Sequence, residues 1–181
     1  MSNQDSDKID TGVIKHDAVD KMFCFEVVVD WIYSDRLPPR VLDPSNNEWW
    51  MFNRLAYKAA DRLMMTDLQN ELVSNDLRML RNHDMRWTLV DVFGMGKLEL
   101  DHTPYYQLIL KSAVHAIMAM PPKEEIANEE ITKLSDCPSA MADVLRHINK
   151  YNRKPWQHVE TGDWCEYHIH ANGNKCNAAK S

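Results

Sequence analysis

Apolar side chains recur with the period of an α-helix along most of this chain, and the first clear case starts at Phe23. Its apolar positions are Phe23, Val27, Val28, Trp31 and Ile32. Glu26 and Asp30 stand four residues apart and form a thin polar stripe on the same segment. A stripe this narrow is typical of a mostly buried helix. We expect the helix to end before Pro38 and Pro39, because proline lacks the backbone donor that a helix needs.

A second helix is predicted to begin after Asn46 or Asn47, either of which can cap the free backbone amides at a helix start. Its predicted core face is Trp49, Phe52, Leu55, Ala56, Ala59 and Leu63. We expect the polar residues of the same helix to face water, namely Asn53, Lys58, Asp61 and Arg62.

A third helix is predicted to open at Thr66, where the Thr66 hydroxyl and the Gln69 amide have the spacing of a capping box. Its core face is Leu68, Leu72, Val73 and Leu80. So few residues separate the second and third helices that they must pack as neighbours.

The rest of the chain stays helical in pattern. Trp87, Val90 and Val92 suggest a short element that ends in a turn at Gly94–Lys97. Thr103 and Pro104 form a strong helix start, with a core face of Leu108, Ile109, Ala113, Ala116 and Ile117. Two further helices are expected, an acidic one over 123–134 and one capped by Ser135 or Asp136 that carries Met141, Val144, Leu145 and Ile148.

These elements predict a single irregular all-α domain with a C-terminal tail that is hairpin-like or irregular. Residues 1–20 are polar and are expected to be disordered. The helical domain is expected over 21–151, and a Cys/His-containing tail over 152–181.

Two stretches of this pattern resemble a known family. The first contains Phe25, Glu26, Val29, Trp31, Ile32, Tyr33, Leu37 and Pro38. The second contains Leu55, Ala60, Asp61, Arg62, Leu63, Leu68, Gln69 and Asn70. Together they are similar to the C-terminal half of the BTB/POZ domain of fungal proteins. The family places strands and helices ahead of the first stretch, whereas only residues 1–21 precede it here. We therefore expect either a shortened member or a sequence whose upstream part is missing.

The resemblance implies a protein that binds another protein or itself and is not an enzyme. Related domains serve as adaptors in cullin-type ubiquitin ligases or as assembly domains of transcriptional regulators. Large apolar side chains are the usual anchors of such contacts. The candidates here are Phe25, Trp31, Trp49 and Trp50. Adjacent helical residues point about 100° apart, so either one of Trp49 and Trp50 is exposed or both pack under the loop that follows Pro38.

Composition narrows the possible partners. The chain has 181 residues and a formal net charge of −6, which disfavours general binding to the phosphate backbone of nucleic acids. No apolar run approaches the roughly 20 residues that span a bilayer, and the first residues do not have the pattern of a secretory signal. We expect an intracellular protein, cytoplasmic or nuclear, without a membrane partner or a small-molecule substrate. The four cysteines are then expected to be thiols or metal ligands rather than disulfides.

The tail contains the one cluster whose residue types could bind a metal ion. These residues are Cys165, His168, His170 and Cys176. Two thiolates and two imidazoles are the ligands of a closed structural zinc site, in which the metal would act as a clamp. In an extended segment Cys165 would point away from both histidines, so the four converge only if a turn falls between Cys165 and His168. The alternative is a small hairpin turning at 171–174 with solvent-facing histidines. The second function that the sequence leaves open is therefore a zinc-stabilised regulatory module.

Overall fold

A computed structural model of the chain describes residues 11–42, 49–83, 87–120, 126–153 and 164–170. Every regular element within these ranges is a helix, and the helices share one hydrophobic core, so the prediction of a single all-α domain is confirmed. In chain order they are α1 (Thr11–Ser34), α2 (Pro39–Leu42), α3 (Trp49–Arg62), α4 (Thr66–His83), α5 (Leu89–Lys97), α6 (Pro104–Met118), α7 (Asn128–Ser135) and α8 (Pro138–Arg153), followed by a 3₁₀ turn at Trp164–Tyr167.

Helix α1 is longer than the sequence pattern indicated. It begins at Thr11, so residues 11–20, which we assigned to a disordered segment, have a helical backbone. No proline or glycine interrupts the chain between Val13 and Ser34, which lets one helix run through both segments. The helix ends where the Ser34 hydroxyl donates to the carbonyl of Asp30 (2.6 Å). Within α1 the side chains are described from Met22 onward.

The inner side of α1 packs on α3. Phe23, Val27 and Val28 are buried, and the Phe23 ring lies 4.3 Å, centroid to centroid, from the ring of Phe52. Ile32 was expected on this buried surface, but its side chain is 63% exposed. Helix α1 is therefore apolar on two sides, only one of which the domain covers.

The buried face of α3 differs from the one we predicted. Ala56 is buried as expected, whereas Leu63 is 56% exposed. The buried positions are Asn53, Arg54, Ala56, Tyr57 and Ala60. Asn53, which we expected in water, is fully buried because it bonds to polar groups of α4 and α6. A hydrophobicity pattern places such a residue outside, and the predicted face is rotated as a result.

Helix α4 matches its prediction more closely. All four predicted core residues are buried, namely Leu68, Leu72, Val73 and Leu80. The Gln69 amide, which was expected to complete a capping box with Thr66, donates instead to the carboxylate of Asp61 on α3 (3.0 Å). This bond ties the two helices together across their short connection.

The segment Gly94–Lys97, which we predicted as a turn, forms the end of helix α5. A Cβ atom added at Gly94 would lie 3.3 Å from the Arg54 guanidinium, and one added at Gly96 would lie 3.0 Å from the Cys137 sulfur. These glycines therefore serve close helix packing rather than a change of chain direction.

The predicted start of α6 is confirmed. Pro104 is its first residue, and the Thr103 side chain accepts a hydrogen bond from the Tyr106 amide (3.2 Å). Leu108, Ile109 and Ala113 are buried as predicted. Helix α8 begins at Pro138 and buries Val144, while its predicted core residue Leu145 is 58% exposed. Helices α4 and α6 form the surface on which the 3₁₀ turn lies.

Candidate functional site

Helix α1 carries large apolar side chains on its side that faces away from the domain. Met22, Phe25, Ile32 and Tyr33 are 60%, 69%, 63% and 86% exposed. At about 100° per residue, these positions fall within an arc of about 100°, and the partly buried Val29 lies between them. We call these five residues the outer face of α1. A helix that is apolar all round is normally buried all round, so this face has the character of a contact surface.

One edge of the outer face is polar. Glu26 and Asp30 follow each other by one helical turn along one edge, and Asp30 is exposed. Their carboxylates give this edge a negative charge. A partner that covers the apolar residues would therefore meet acidic groups on that edge.

The other predicted anchors do not join Phe25 on the outer face. Trp31 is partly buried and packs against the core on the inner side of α1. Trp50 is also partly buried, and the Arg54 guanidinium lies 4.7 Å from the centroid of its ring. The side chain of Trp49 lies outside the described residues. Of the three anchors whose side chains the structure describes, Phe25 is the one that lies on an exposed apolar surface.

Trp31 lies at a second surface feature, a cleft of about 600 Å³ between the end of α1, α2 and α4. Its apolar lining is Trp31, Leu37, Leu42 and Met79. Arg36 and Arg78 also line it, and Arg78 is paired with Glu71 (2.7 Å). The cleft is therefore lined by both apolar and charged side chains.

The four residues of the Cys/His cluster can converge only if a turn falls between Cys165 and His168, and the structure has such a turn. Trp164–Tyr167 is a 3₁₀ turn rather than an extended strand, and this turn separates Cys165 from His168. As a result the Cys165 sulfur lies 3.1 Å from Nε2 of His170. The same nitrogen lies 2.8 Å from the Cys165 carbonyl oxygen.

The second histidine of the cluster points to α4 instead. Nε2 of His168 lies 3.1 Å from the Ser74 hydroxyl, and burial, with His170 as a further cause, lowers the His168 pKa below its ordinary value of 6.5. Across the described part of the chain, no group of three or more His, Cys, Asp or Glu side chains is placed to hold a metal ion. Cys176 and the hairpin turn expected at 171–174 lie outside the described residues.

The tail is docked on the domain by specific polar contacts. The Asn70 side chain bonds to both backbone polar groups of Ile169. The Lys111 ammonium pairs with Glu166 (3.0 Å) and lies 5.0 Å from the centroid of the Tyr167 ring. Tyr167 itself is buried at 3% exposure. Residues 165–169 are therefore part of the folded unit in this structure, although the sequence assigned them to a tail beyond the domain.

A buried polar network that the sequence pattern did not reveal joins α3, α4 and α6. The Asn53 amide and the Tyr105 hydroxyl both donate to the carboxylate of Asp76, and all three side chains are fully buried. Burial raises the pKa of Asp76 to about 7, against the opposing effects of the Tyr105 bond, the Arg54 charge and the Asn53 bond. Burial also raises the pKa of Tyr105 well above its usual value.

Arg54 provides the positive charge next to this network. Its guanidinium lies 5.0 Å from the centroid of the Trp87 ring, in addition to its contact with Trp50, and donates to Asp91 at 2.6 Å. The side chain is 1% exposed. One signal in the sequence could have revealed the network, because Asp76 stands four residues from both Leu72 and Leu80, at the centre of an apolar helix face. Because the Asp76 carboxylate is fully buried and bonded to side chains of α3 and α6, the network fixes how these helices pack on α4.

Comparisons of the chain with protein-family models, with curated proteins and with solved structures found no match. The BTB/POZ resemblance thus stays an expectation from the sequence. Among the described residues, no helix combines the length and apolar character needed to cross a membrane.

Proposed function

We propose that this chain is a non-enzymatic protein-interaction module whose contact surface is the outer face of α1. The observation that carries the proposal is that four large apolar side chains, each at least 60% exposed, lie on one side of a helix whose other side is already buried. Scattered exposed apolar residues are ordinary on a protein surface, whereas a continuous apolar stripe on one helix is typical of a binding site.

The energetics favour coverage of this face. Transferring one such side chain from water into a packed interface contributes about 1.5–3 kcal/mol when burial is complete. Met22, Phe25, Ile32 and Tyr33 together offer several such contributions. Because the inner side of α1 packs on α3, the helix is already held in shape and needs no ordering on binding.

The same surface agrees with what the BTB/POZ resemblance implies. The resemblance includes Phe25, Ile32 and Tyr33, all of which belong to the outer face. It implies a role as an adaptor or an assembly domain, with another protein or a second copy as the partner. The acidic edge formed by Glu26 and Asp30 adds a preference for a partner with basic residues beside its apolar contact.

A comparison of three matched proteins tests the proposal. Tagged wild-type protein, a Phe25→Glu, Ile32→Glu variant and a Leu145→Glu control would be purified from cells under mild conditions. Leu145 lies on α8 and is 58% exposed, so it matches the outer face in exposure but not in position. We expect one partner to bind the wild type and the control and to be lost from the double variant.

The partner must then bind again when both proteins are purified and mixed, with Kd measured by calorimetry. We expect the double variant to weaken this binding at least tenfold, which corresponds to about 1.4 kcal/mol. A double variant that melts like the wild type but keeps every partner would exclude the outer face as the contact surface.

A second candidate function, a zinc-stabilised regulatory module, is favoured by the contact between Cys165 and His170. Zinc bonds to sulfur and nitrogen of about 2.3 and 2.0 Å place two ligand atoms about 3.5 Å apart in a tetrahedral site. The observed 3.1 Å between the Cys165 sulfur and Nε2 of His170 is close to this spacing. Bound zinc would use these two side chains, with His168 and Cys176 as the remaining candidates, to clamp the tail.

Metal analysis of the purified protein separates the two candidates. If the Cys/His cluster binds zinc, we expect about one zinc per chain in the purified protein. We expect a Cys165→Ser, His170→Ala variant to lose this metal. A Cys137→Ser variant serves as the control, since Cys137 is another free thiol and lies at the start of α8. Wild-type protein that is purified without chelators and carries no zinc removes this candidate and leaves the interaction proposal intact.

A further inference from the structure

The cleft beside Trp31 has the size and the mixed lining of a small-molecule site. Its volume is about 600 Å³, and such sites usually have volumes of about 300–1,000 Å³. They combine apolar walls with a few polar groups that fix the orientation of the ligand. We call this site the Trp31 cleft. It shares no residue with the outer face of α1.

The turn that follows α1 places two opposite charges at the Trp31 cleft. Asp35 has a φ of 53°, in the left-handed region, and its amide donates to the Trp31 carbonyl (2.9 Å). The chain therefore changes direction here, and Asp35 and Arg36 both line the cleft. Both side chains are exposed, and neither forms an ion pair with any residue that the structure describes. One carboxylate and one guanidinium are thus free to bind a ligand.

The other two charged residues of the lining neutralise each other. Arg78 and Glu71 lie on α4 and are paired at 2.7 Å. The lining therefore carries two positive and two negative side chains, and its formal charge is zero. A simple anion would bind Arg36 but would be repelled by Asp35. A ligand that carries one charge of each sign matches both residues.

Asn75 adds a polar atom whose position is fixed. The residue is 4% exposed, and its Nδ2 donates to the carbonyl of Val41 on α2 (3.1 Å). Within the described part of the chain, no group donates to its Oδ1. A nearly buried acceptor without a donor is costly, so a ligand N–H that bonds to Oδ1 would be favoured.

The apolar part of the lining can take an aromatic or branched side chain. Trp31 is partly buried, and Leu42 is 42% exposed. Met79 borders the cleft from α4. An indole ring and a thioether both make favourable contacts with aromatic groups. The cleft therefore offers an apolar contact beside its two free charges.

We propose that the Trp31 cleft binds a small zwitterion with an apolar body, the chemistry shared by free apolar amino acids and their dipeptides. The ligand carboxylate bonds to Arg36, whose guanidinium can donate two parallel hydrogen bonds to it. The ligand ammonium bonds to Asp35 and to Oδ1 of Asn75, and the apolar side chain packs on Trp31 and Leu42. The ligand is bound and not transformed, so this function adds to protein interaction and does not rest on the proposed contact surface.

Titration with two probes, phenylalanine and the dipeptide phenylalanyl-leucine, tests the proposal. The readout is the indole N–H resonance of Trp31 in isotope-labelled full chain. Trp31 is one of six tryptophans, and its resonance is identified as the one missing from a Trp31→Phe variant. We expect a saturable shift with a Kd of about 0.1–1 mM, as is usual for a small ligand in a cleft open to water. Serine has the same charges without the apolar body and should bind at least tenfold more weakly.

Changes to the two ends of the ligand test which residue binds each charge. Phenylalanine amide has no carboxylate, and N-acetylphenylalanine has no ammonium, so each should bind the wild type at least fivefold more weakly than phenylalanine does. Arg36→Gln should remove the difference between phenylalanine and its amide. Asp35→Asn should remove the difference between phenylalanine and its acetylated form, and asparagine tolerates the positive φ at this position.

Two variants at exposed residues outside the cleft serve as controls, namely Arg62→Gln and Asp136→Asn. Both should bind every probe like the wild type. Matching thermal melts establish that all four variants are folded.

The relative affinity of the two probes identifies the source of the ligand. Tighter binding of the dipeptide assigns the site to short peptides, and tighter binding of phenylalanine assigns it to free amino acids. The proposal is overturned if neither probe gives a saturable shift of Trp31 up to about 10 mM, a limit well above the expected Kd. Equal binding of phenylalanine and serine would also overturn it, as would an Arg36→Gln variant that still distinguishes phenylalanine from its amide.

Failure of this proposal is distinguishable from failure of the proposed function. The Phe25→Glu, Ile32→Glu variant should bind phenylalanine like the wild type, because neither residue lines the cleft. Conversely, Arg36→Gln should keep the protein partner of the outer face.

Discussion

The side chain of Asn70 holds the backbone of Ile169 at both of its polar groups. Nδ2 of Asn70 donates to the Ile169 carbonyl (2.9 Å), and the Ile169 amide donates to Oδ1 of Asn70 (2.7 Å). The two residues are 99 positions apart in the chain. A side-chain amide bonded in this way reproduces the pairing of a neighbouring strand, and it fixes the tail on α4.

Replacement of Asn70 by alanine should therefore release the tail without unfolding the helices. Each of the two lost hydrogen bonds contributes about 1 kcal/mol. We expect the Ile169 amide to exchange with deuterium at least tenfold faster in Asn70→Ala, while the amides of α6 stay protected. An Asn149→Ala variant, changed at an exposed position of α8, should leave the exchange of Ile169 as it is in the wild type. Unchanged exchange in Asn70→Ala would mean that the tail is held by its other contacts.

Asp76 should make the stability of the domain fall as the pH rises. Burial raises the folded-state pKa of Asp76 to about 7 from 3.8, so the folded protein holds this proton more tightly than the unfolded chain does. The resulting stabilisation is complete at pH values below about 4 and is lost as the pH rises through 7.

An Asp76→Asn variant should remove this contribution between pH 5 and 8, because asparagine carries no proton to lose. Urea unfolding at a series of pH values measures it, with Asp136→Asn, changed at an exposed carboxylate, as the control. If the difference in unfolding free energy between wild type and Asp76→Asn is the same at pH 5 and pH 8, Asp76 does not titrate in this range.

Phe23 and Phe25 should respond oppositely to truncation although they are two residues apart on one helix. Phe23 is 4% exposed and contacts Phe52, whereas Phe25 is 69% exposed. Phe23→Ala should cost about 3–5 kcal/mol of unfolding free energy, as is usual for a buried phenylalanine. Phe25→Ala should cost less than about 0.5 kcal/mol in the monomer. Equal losses measured by urea unfolding would mean that Phe25 also packs in the core.

Met64 should be a site where glycine stabilises the protein. It lies just after the end of α3 and has a positive φ of 56°, and the hydrogen bonds from the Met64 amide to the Asp61 carbonyl and from the Met65 amide to the Ala60 carbonyl form a Schellman motif. Its side chain is 86% exposed. Met64→Gly should raise the unfolding free energy by about 0.5–1 kcal/mol, because glycine has no Cβ to strain in this conformation. The neighbouring Leu63→Gly serves as the control and should give no gain in a thermal melt.

The sequence pattern was most successful where apolar residues alone decide the packing. The face of α4 follows a regular helical period and all four of its predicted core residues are buried. The face of α3 was placed incorrectly, since Asn53 is buried by bonds to partners distant in sequence. Gly94 and Gly96 were interpreted as a turn because the sequence does not show which neighbouring helix approaches them.

The sequence predicted only part of the candidate site, because the rest depends on contacts between residues that are distant in the chain. Phe25 was identified as an anchor, but the pattern around Phe23 was interpreted as a mostly buried helix, which hid the outer face that includes Ile32 and Tyr33. In the tail, the need for a turn after Cys165 could be stated from the residues. The turn itself depends on the docking of Tyr167 and Ile169, which are contacts with α4 and α6 that local sequence does not encode.

Oxidative footprinting of the outer face tests the central claim most directly. Hydroxyl radicals modify exposed methionine and aromatic side chains, so Met22, Phe25 and Tyr33 report on whether this face is covered. We expect strong modification in dilute purified protein and at least fivefold protection when the contact partner is bound, while Met64 on the α3–α4 turn, which is 86% exposed, is modified in both states. Equal modification of the outer face in both states would contradict the account.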